Sequence, residues 1–397
     1  MLRIQVGRLF PHAAARSRRL WPAALVVIAA GARFAAFPVR SSDWTRFLSG
    51  WMLTLQQHGL AAFGHRFSDY NFPYLFLLWA VGHLPVPELV GLKLLSTGFD
   101  LLLACATALL VREIRPSVRP AAVFAVTFAL PTVALDSAAW GQCDSGYVAL
   151  LVFGLLYALR GRWAVAGFLV GAALAFKLQA ALVVPALAVL WWRRGRPLVT
   201  PAAVAGSFLV LSLPPVLLGA SLSSTIGTYA HQAGEFPALT SGAPNLYQWS
   251  DGVPYAVANN MAIGLSGLAL VALMLSARSR LLASHVDVLT YAALCVTVLP
   301  FVLPRMHERY FLPADVLTLA LAFCRRRAIA GAALLQVASI VSYDNFLEWP
   351  PYIPLATDAV VMAAAVVLAV RCYLNGTAAA SPSLRRRPPA RITTTAS

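Results

Sequence analysis

Residues 74–119 read YLFLLWAVGHLPVPELVGLKLLSTGFDLLLACATALLVREIRPSVR. Two apolar stretches stand in this segment, Tyr74 to Leu84 and Val86 to Val111, and the arginines Arg112, Arg115 and Arg119 follow the second. A helix needs about 20 residues to cross a bilayer. The second stretch is long enough and the first is far short. If both crossed, the three arginines would lie outside, against the rule that basic residues stay on the cytoplasmic side. One crossing is therefore expected, with Tyr74–Leu84 as a juxtamembrane or re-entrant helix on the outer face.

The same rule extends along the chain in both directions. Clusters at the N-terminus, Arg112–Arg119, Arg160–Arg162, Arg193–Arg196, Arg278 with Arg280, Arg325–Arg327 and from Arg371 through Arg385, Arg386 and Arg387 mark inside loops. Between them the apolar runs must cross in pairs. Spans are expected near 20–39, 86–111, 120–138, 146–160, 163–176, 180–192, 199–219, 254–277, 284–302, 311–324, 328–342 and 353–371. The fold class is thus all-α, a polytopic transmembrane protein of about twelve spans with both termini cytoplasmic. Leu20 to Val39 is longer than a signal-peptide core and lacks a small-residue cleavage site, so a retained first span is expected. Residues 373–397, rich in Pro, Ser, Thr and Arg, read as a disordered basic tail. No internal repeat shows.

Composition agrees. Of 397 residues, 59% are hydrophobic and 12% charged, against about 25% charged in soluble proteins. That density cannot cover a globular surface, which excludes a soluble enzyme, a disordered chain and a fibrous protein. The net charge of +16 falls in short clusters between apolar runs, not in a stripe with interleaved aromatics, so nucleic acid is excluded as partner. The five cysteines, Cys105, Cys143, Cys295, Cys324 and Cys372, show no CxxC spacing. They support neither a disulfide framework nor a zinc site.

This topology sends the unusual polar chemistry to the outer face. Arg40 to Tyr74 carries Asp43 and Ser68-Asp69-Tyr70-Asn71, and Asp136 to Ser145 carries Trp140-Gly141-Gln142-Cys143-Asp144-Ser145. Phe176-Lys177-Leu178-Gln179, the long loop Ala220–Tyr255 and Pro304 to Tyr310 complete the set. Lys177 is one of two lysines in the chain, with Lys93, and sits against the orientation bias. An anionic ligand would explain it; snorkelling to headgroups is the alternative. Arg305, His307 and Arg309 form a second outward cationic group, suited to phosphate oxygens or paired with Glu308 and Asp315. Asp43 can act as a general base or cap a helix. Asp100 falls inside a span, where an ionisable group faces a cavity or a partner.

Asp43, the WGQCDS segment 140–145, FKLQ 176–179 and MHERY 306–310 occur in that order, and together they resemble the GT-C superfamily of integral-membrane glycosyltransferases. The nearest likeness is to bacterial relatives of the second GPI mannosyltransferase, over residues 20–325, which would make residues 1–325 the catalytic module and 326–372 additional helices. The resemblance implies a donor with its sugar on a polyprenyl phosphate, and inverting transfer of a hexose, mannose favoured, to a glycolipid, polysaccharide or protein hydroxyl. Catalysis would lie on the outer face of the plasma membrane. Asp43 maps onto the base, with Asp69 in reserve. Lys177, His307, Arg309 and Arg305 would hold the donor phosphate, while Trp140, Gln142, Asp144, Gln179 and Glu308 would contact sugar or acceptor. No cofactor and no metal are expected, since the outer loops offer no obvious acidic pair. A polytopic transporter or lipid flippase is the competing class; it predicts mid-membrane charges and repeat symmetry.

Overall fold

The computed structural model describes residues 11–229, 238–279, 282–350 and 352–378. Among the described residues, fourteen α-helices of nine residues or more carry the architecture. They are α1 (Pro11–Ala36), α2 (Ser49–His58), α3 (Phe72–Gly82), α4 (Glu88–Ile114), α5 (Pro120–Phe128), α6 (Asp144–Leu159) and α7 (Trp163–Phe176), then α8 (Val184–Arg193), α9 (Val199–Ser212), α10 (Tyr255–Ser279), α11 (His285–Val302), α12 (Leu312–Cys324), α13 (Ile329–Phe346) and α14 (Leu355–Ala378). The described strands are two residues each, β1 (Thr240–Ser241) and β2 (Met306–His307), paired in parallel.

Local chemistry sets the helix boundaries. Pro120 and Pro131 open helices, where a missing N–H is not needed. Asn71 caps α3 by accepting from the Phe72 N–H, and Ser284 with Asp287 forms a capping box on α11. At 11 residues α3 is too short to cross. Four helices are long and apolar enough to span by length and composition: Glu88–Ile114, Tyr255–Arg278, His285–Val302 and Leu355–Asn375. Pro120–Phe128 with Pro131–Trp140, bent by 55°, makes a fifth. The other stretches expected to cross are helical but shorter or less apolar, so length and composition alone pick out four to five spans among the described residues.

Arginine contacts gather the expected inside loops at one end of the bundle. Arg160 pairs with Glu113 at 2.8 Å, and Arg115 donates to the carbonyls of Phe323 and Cys324 at 3.2 and 3.0 Å. Arg325 pairs with Asp287, and Arg193 donates to the carbonyls of Ala277 and Arg278. Guanidinium groups on helix C-terminal carbonyls satisfy acceptors that lack a turn to bond with. The polar segments Asp43, Gln142, Lys177 and His307 meet at the other end, around one cavity.

Asp100 finds its partner in Arg33 of α1, at 2.9 Å, with both side chains almost fully buried. Ser137 and Ser145 donate to the same carboxylate at 2.5 and 2.6 Å, and Arg33 also donates to the Phe128 carbonyl at 2.6 Å. The pair is thus charge-balanced and hydrogen-bonded, the condition under which a buried ion pair is tolerated.

One expectation needs correcting: residues 373–378, assigned to the tail, continue α14; residues 379–397 lie outside the described residues. Phe346 of α13 stacks on Trp140 with ring centroids 3.7 Å apart, so the helices after residue 325 pack onto the segments before it. Part of the long loop, residues 230–237, also lies outside the described residues.

Candidate active site

The chain connecting α1 to α2 turns through a single π-helical segment, Trp44–Leu48, with Asp43 at its head. A second π-turn, Leu135–Trp140, ends at Gly141, whose φ of +85° belongs to glycine. An added Cβ there would sit 3.1 Å from Leu92. π-turns leave the regular ladder and re-aim side chains, and these two face each other. Trp140 Nε1 donates to Asp43 Oδ2 at 2.8 Å and Gln142 Nε2 donates to the same oxygen at 2.5 Å. Arg309 Nη1 lies 3.5 Å from it. All three reach Oδ2, and none reaches Oδ1. Tyr70 donates to the Gln142 oxygen at 3.0 Å, which fixes the amide's orientation.

Asp43 borders a cavity of about 740 Å³ shared with Arg46, Asp69, Tyr70, Gln142, Lys177, Gln179, Arg305, His307, Glu308 and Arg309. That volume suits a small-molecule site. The two-stranded sheet closes one wall. Gly242, at φ +80°, leaves room for Glu308, since a Cβ would lie 2.5 Å from its Oε2. Arg305, itself at φ +62°, bonds through its N–H to the Leu239 carbonyl and donates to Tyr255 at 3.2 Å. Ser342, Asn345 and Phe346 of α13 complete the lining.

Lys177 and Arg309 do not stand unpaired. Lys177 Nζ lies 2.6 and 2.8 Å from the two oxygens of Asp144, with side chains 4% and 0% exposed. Burial alone would pull the amine down, but Asp144 outweighs it and holds the ammonium above the ordinary lysine range. Arg309 lies between Asp43, Asp144 at 3.8 Å and Glu308 at 3.6 Å. His307 is not the cation expected: burial, with Arg309 and Lys177 nearby, depresses it from 6.5 to about 2, so it is neutral at any working pH. Transfer rates are accordingly expected to show no limb from His307 between pH 5 and 8, and His307→Gln should leave the shape of the pH profile unchanged.

Burial pushes Glu308 up from 4.5 to about 7, ahead of an opposing pull from Arg309. A carboxyl held above its unfolded value favours the fold while protonated. That contribution is complete below pH 4.5 and is lost as the pH climbs to about 7. Glu308→Gln, which keeps the neutral shape, is therefore expected to flatten this part of the stability curve, read as thermal midpoint against pH. An unchanged slope would mean that the carboxyl ionises freely.

Asp43, Lys177, His307, Arg309 and Arg305 thus reach one cavity, as do Gln142, Gln179 and Glu308. Asp69 reaches it too, paired with Arg66 at 3.1 Å. Trp140 and Asp144 do not. Both are fully buried: Phe346 covers one face of the indole, Tyr343 meets its edge, and Arg309 lies 5.0 Å from the ring centroid. In place of the sugar contacts expected of them, they support Asp43 and Lys177 from behind. Arg46, Tyr70, Ser241 and Asn345 are cavity residues that sequence reasoning passed over. Arg46 follows Asp43 by one turn, a spacing that could have flagged it. Asn345 comes from a segment with no legible motif. Among the described residues, no three His, Cys, Asp or Glu side chains converge as metal ligands would.

The all-α membrane bundle is that of a GT-C-type membrane glycosyltransferase. The model of glycosyltransferase family 87 matches residues 67–304, and the chain belongs to that family. No curated protein matches it. The match takes in Trp140–Ser145 and Lys177 but begins after Asp43 and ends before His307. It is not specific to the GPI mannosyltransferase relatives.

Proposed function

We propose that this glycosyltransferase moves a hexose, mannose by the likeness of its motifs, from a polyprenyl-phosphate sugar to a hydroxyl acceptor, with inversion. The observation that carries the reading is the state of Asp43: three donors meet one oxygen, no donor among the described residues is seen on the other, and the side chain borders the cavity that also holds Lys177 and Arg309. Asp43 takes the proton of the acceptor hydroxyl. The acceptor oxygen attacks the anomeric carbon, the carbon–oxygen bond to phosphate breaks, and the electron pair leaves with the polyprenyl phosphate. The third N–H of Lys177, the Arg309 fork, Arg305 and Arg46 stabilise the charge growing there, worth several kcal/mol when preorganised. One carboxylate and a single displacement give inversion. Gln179, whose buried amide oxygen has no partner among the described residues, and Glu308 receive sugar hydroxyls.

An apolar cavity of about 570 Å³ between α7, α8 and α9 shares Leu178 with the polar one and suits the prenyl chain. The arginine-rich end faces the cytoplasm by the positive-inside rule, with both termini there, and the cavity opens on the outer side of the plasma membrane. A transporter finds less support, because Asp100, a charge within a span, is locked to Arg33 and borders neither cavity.

Membranes containing the protein, given radiolabelled polyprenyl-phosphate sugars, should yield a labelled acceptor with the anomeric configuration inverted. Transfer from a nucleotide sugar by the purified protein, or solute exchange without glycosyl transfer, would overturn the proposal.

A further inference from the structure

The chain has two lysines, and the reaction proposed above uses Lys177 alone. Lys93, in the second turn of α4, is fully buried. Its ammonium donates to the carbonyls of Ala36 at 3.2 Å, Val39 at 2.5 Å and Ala139 at 3.3 Å. Ala36 is the last residue of α1, Val39 lies in the connection leading to Asp43, and Ala139 directly precedes Trp140 in the second π-turn. Helix ends and π-turns leave carbonyls without a ladder partner, and three N–H groups on one tetrahedral nitrogen can reach three of them from three segments.

A second tie closes the joint from the other side. Ser41 Oγ donates to the Trp140 carbonyl at 2.7 Å and accepts from the Trp44 N–H at 3.2 Å. Gly141 packs its backbone over Leu92 and the Lys93 stem, where a Cβ would lie 3.1 and 4.0 Å away. Among the described residues no carboxylate pairs with Lys93. A buried ammonium held only by carbonyls is costly to keep, and two apolar helices need no such link merely to pack.

We propose that Lys93, with Ser41, is a positioning residue. It clamps the end of α1 to the turn that carries Trp140 and Gln142, so that both donors stay on Asp43 Oδ2 and Oδ1 faces the acceptor. The inference rests on the reading of Asp43 as base. It touches no substrate, so it acts on the chemical step and not on binding. A displacement of about 1 Å at a reacting group can cost about 100-fold in rate.

The test compares Lys93→Met, Ser41→Ala, the double variant and Asp43→Asn with wild type, all purified and assayed with radiolabelled donor. Lys93→Met should lose roughly 10- to 100-fold in kcat with KM for donor and acceptor unchanged. Ser41→Ala should lose less, in the same way. The double variant should lose no more than Lys93→Met, because both changes open one joint. Full kcat in Lys93→Met, a loss through KM alone, or multiplied losses in the double variant would overturn the clamp. If Lys93→Met does not fold, Ser41→Ala decides: lowered kcat at constant KM supports the clamp and unchanged kcat overturns it. Full turnover by Asp43→Asn overturns the base and the clamp together, whereas an inactive Asp43→Asn beside a fully active Lys93→Met overturns the clamp alone.

Discussion

Asp43→Asn is expected to lower kcat by roughly 10³-fold, the middle of the range for a positioned general base, while the protein still inserts and melts as the parent does. The asparagine carbonyl can accept from Trp140 and Gln142 as the carboxylate does, so the local scaffold persists. What disappears is the carboxylate charge that the proposed reaction uses as base. Arg309 loses one of its three carboxylate neighbours and keeps Asp144 and Glu308, which limits the effect on stability. The measurement is initial rate with radiolabelled donor, beside a melting curve in detergent. Turnover within tenfold of wild type would remove Asp43 as base and make Asp69, in the same cavity, the next candidate.

The second large effect belongs to the pair Lys177–Asp144. Lys177→Met strands a fully buried carboxylate whose next cation, Arg309, is 3.8 Å away. Removing one partner of a buried pair costs about 3–5 kcal/mol, a drop of about 5 °C in thermal midpoint for a chain of this size. Adding Asp144→Leu removes the stranded charge, and a buried pair replaced by apolar side chains of similar volume is close to neutral. The double variant should therefore melt like wild type. Activity separates two roles for the amine. If Lys177 meets the donor phosphate, Lys177→Met with Asp144→Leu stays impaired, chiefly in KM for the lipid donor. Recovery of the wild-type rate would make the pair purely structural.

Lys177 also shows where sequence reasoning stopped. Its position against the arginine bias marks it as exceptional, and it does line the cavity. The sequence could not say that Asp144, 33 residues away, holds it, because neither residue shares a helix turn or a loop with the other. Asp144 and Trp140 are both expected from the sequence to contact sugar or acceptor. Each turns out to be buried behind the residue that faces the cavity. His307 fails for a related reason: its charge depends on how much water reaches it and on the cations around it, neither of which is written in MHERY. Asn345 and Phe346 of α13 lie beyond every motif, and only folding brings both to the cavity and Phe346 onto Trp140.

What the sequence determined by itself is the class and the polarity of the chain. Lipid solvates only apolar stretches whose backbone is bonded internally, so the runs of Leu, Val and Ala dictate helices. The arginine clusters dictate which ends of those helices lie together. The ordered segments around Asp43, Trp140, Lys177 and His307 are the ones that fold around one cavity. Tertiary structure alone decided which charges are neutralised, which aromatic rings are covered and which oxygen of Asp43 meets Trp140, Gln142 and Arg309. Those properties depend on desolvation and on distances of a few ångströms between residues as far apart as Asp43 and Arg309, and no local pattern encodes a distance across the bundle.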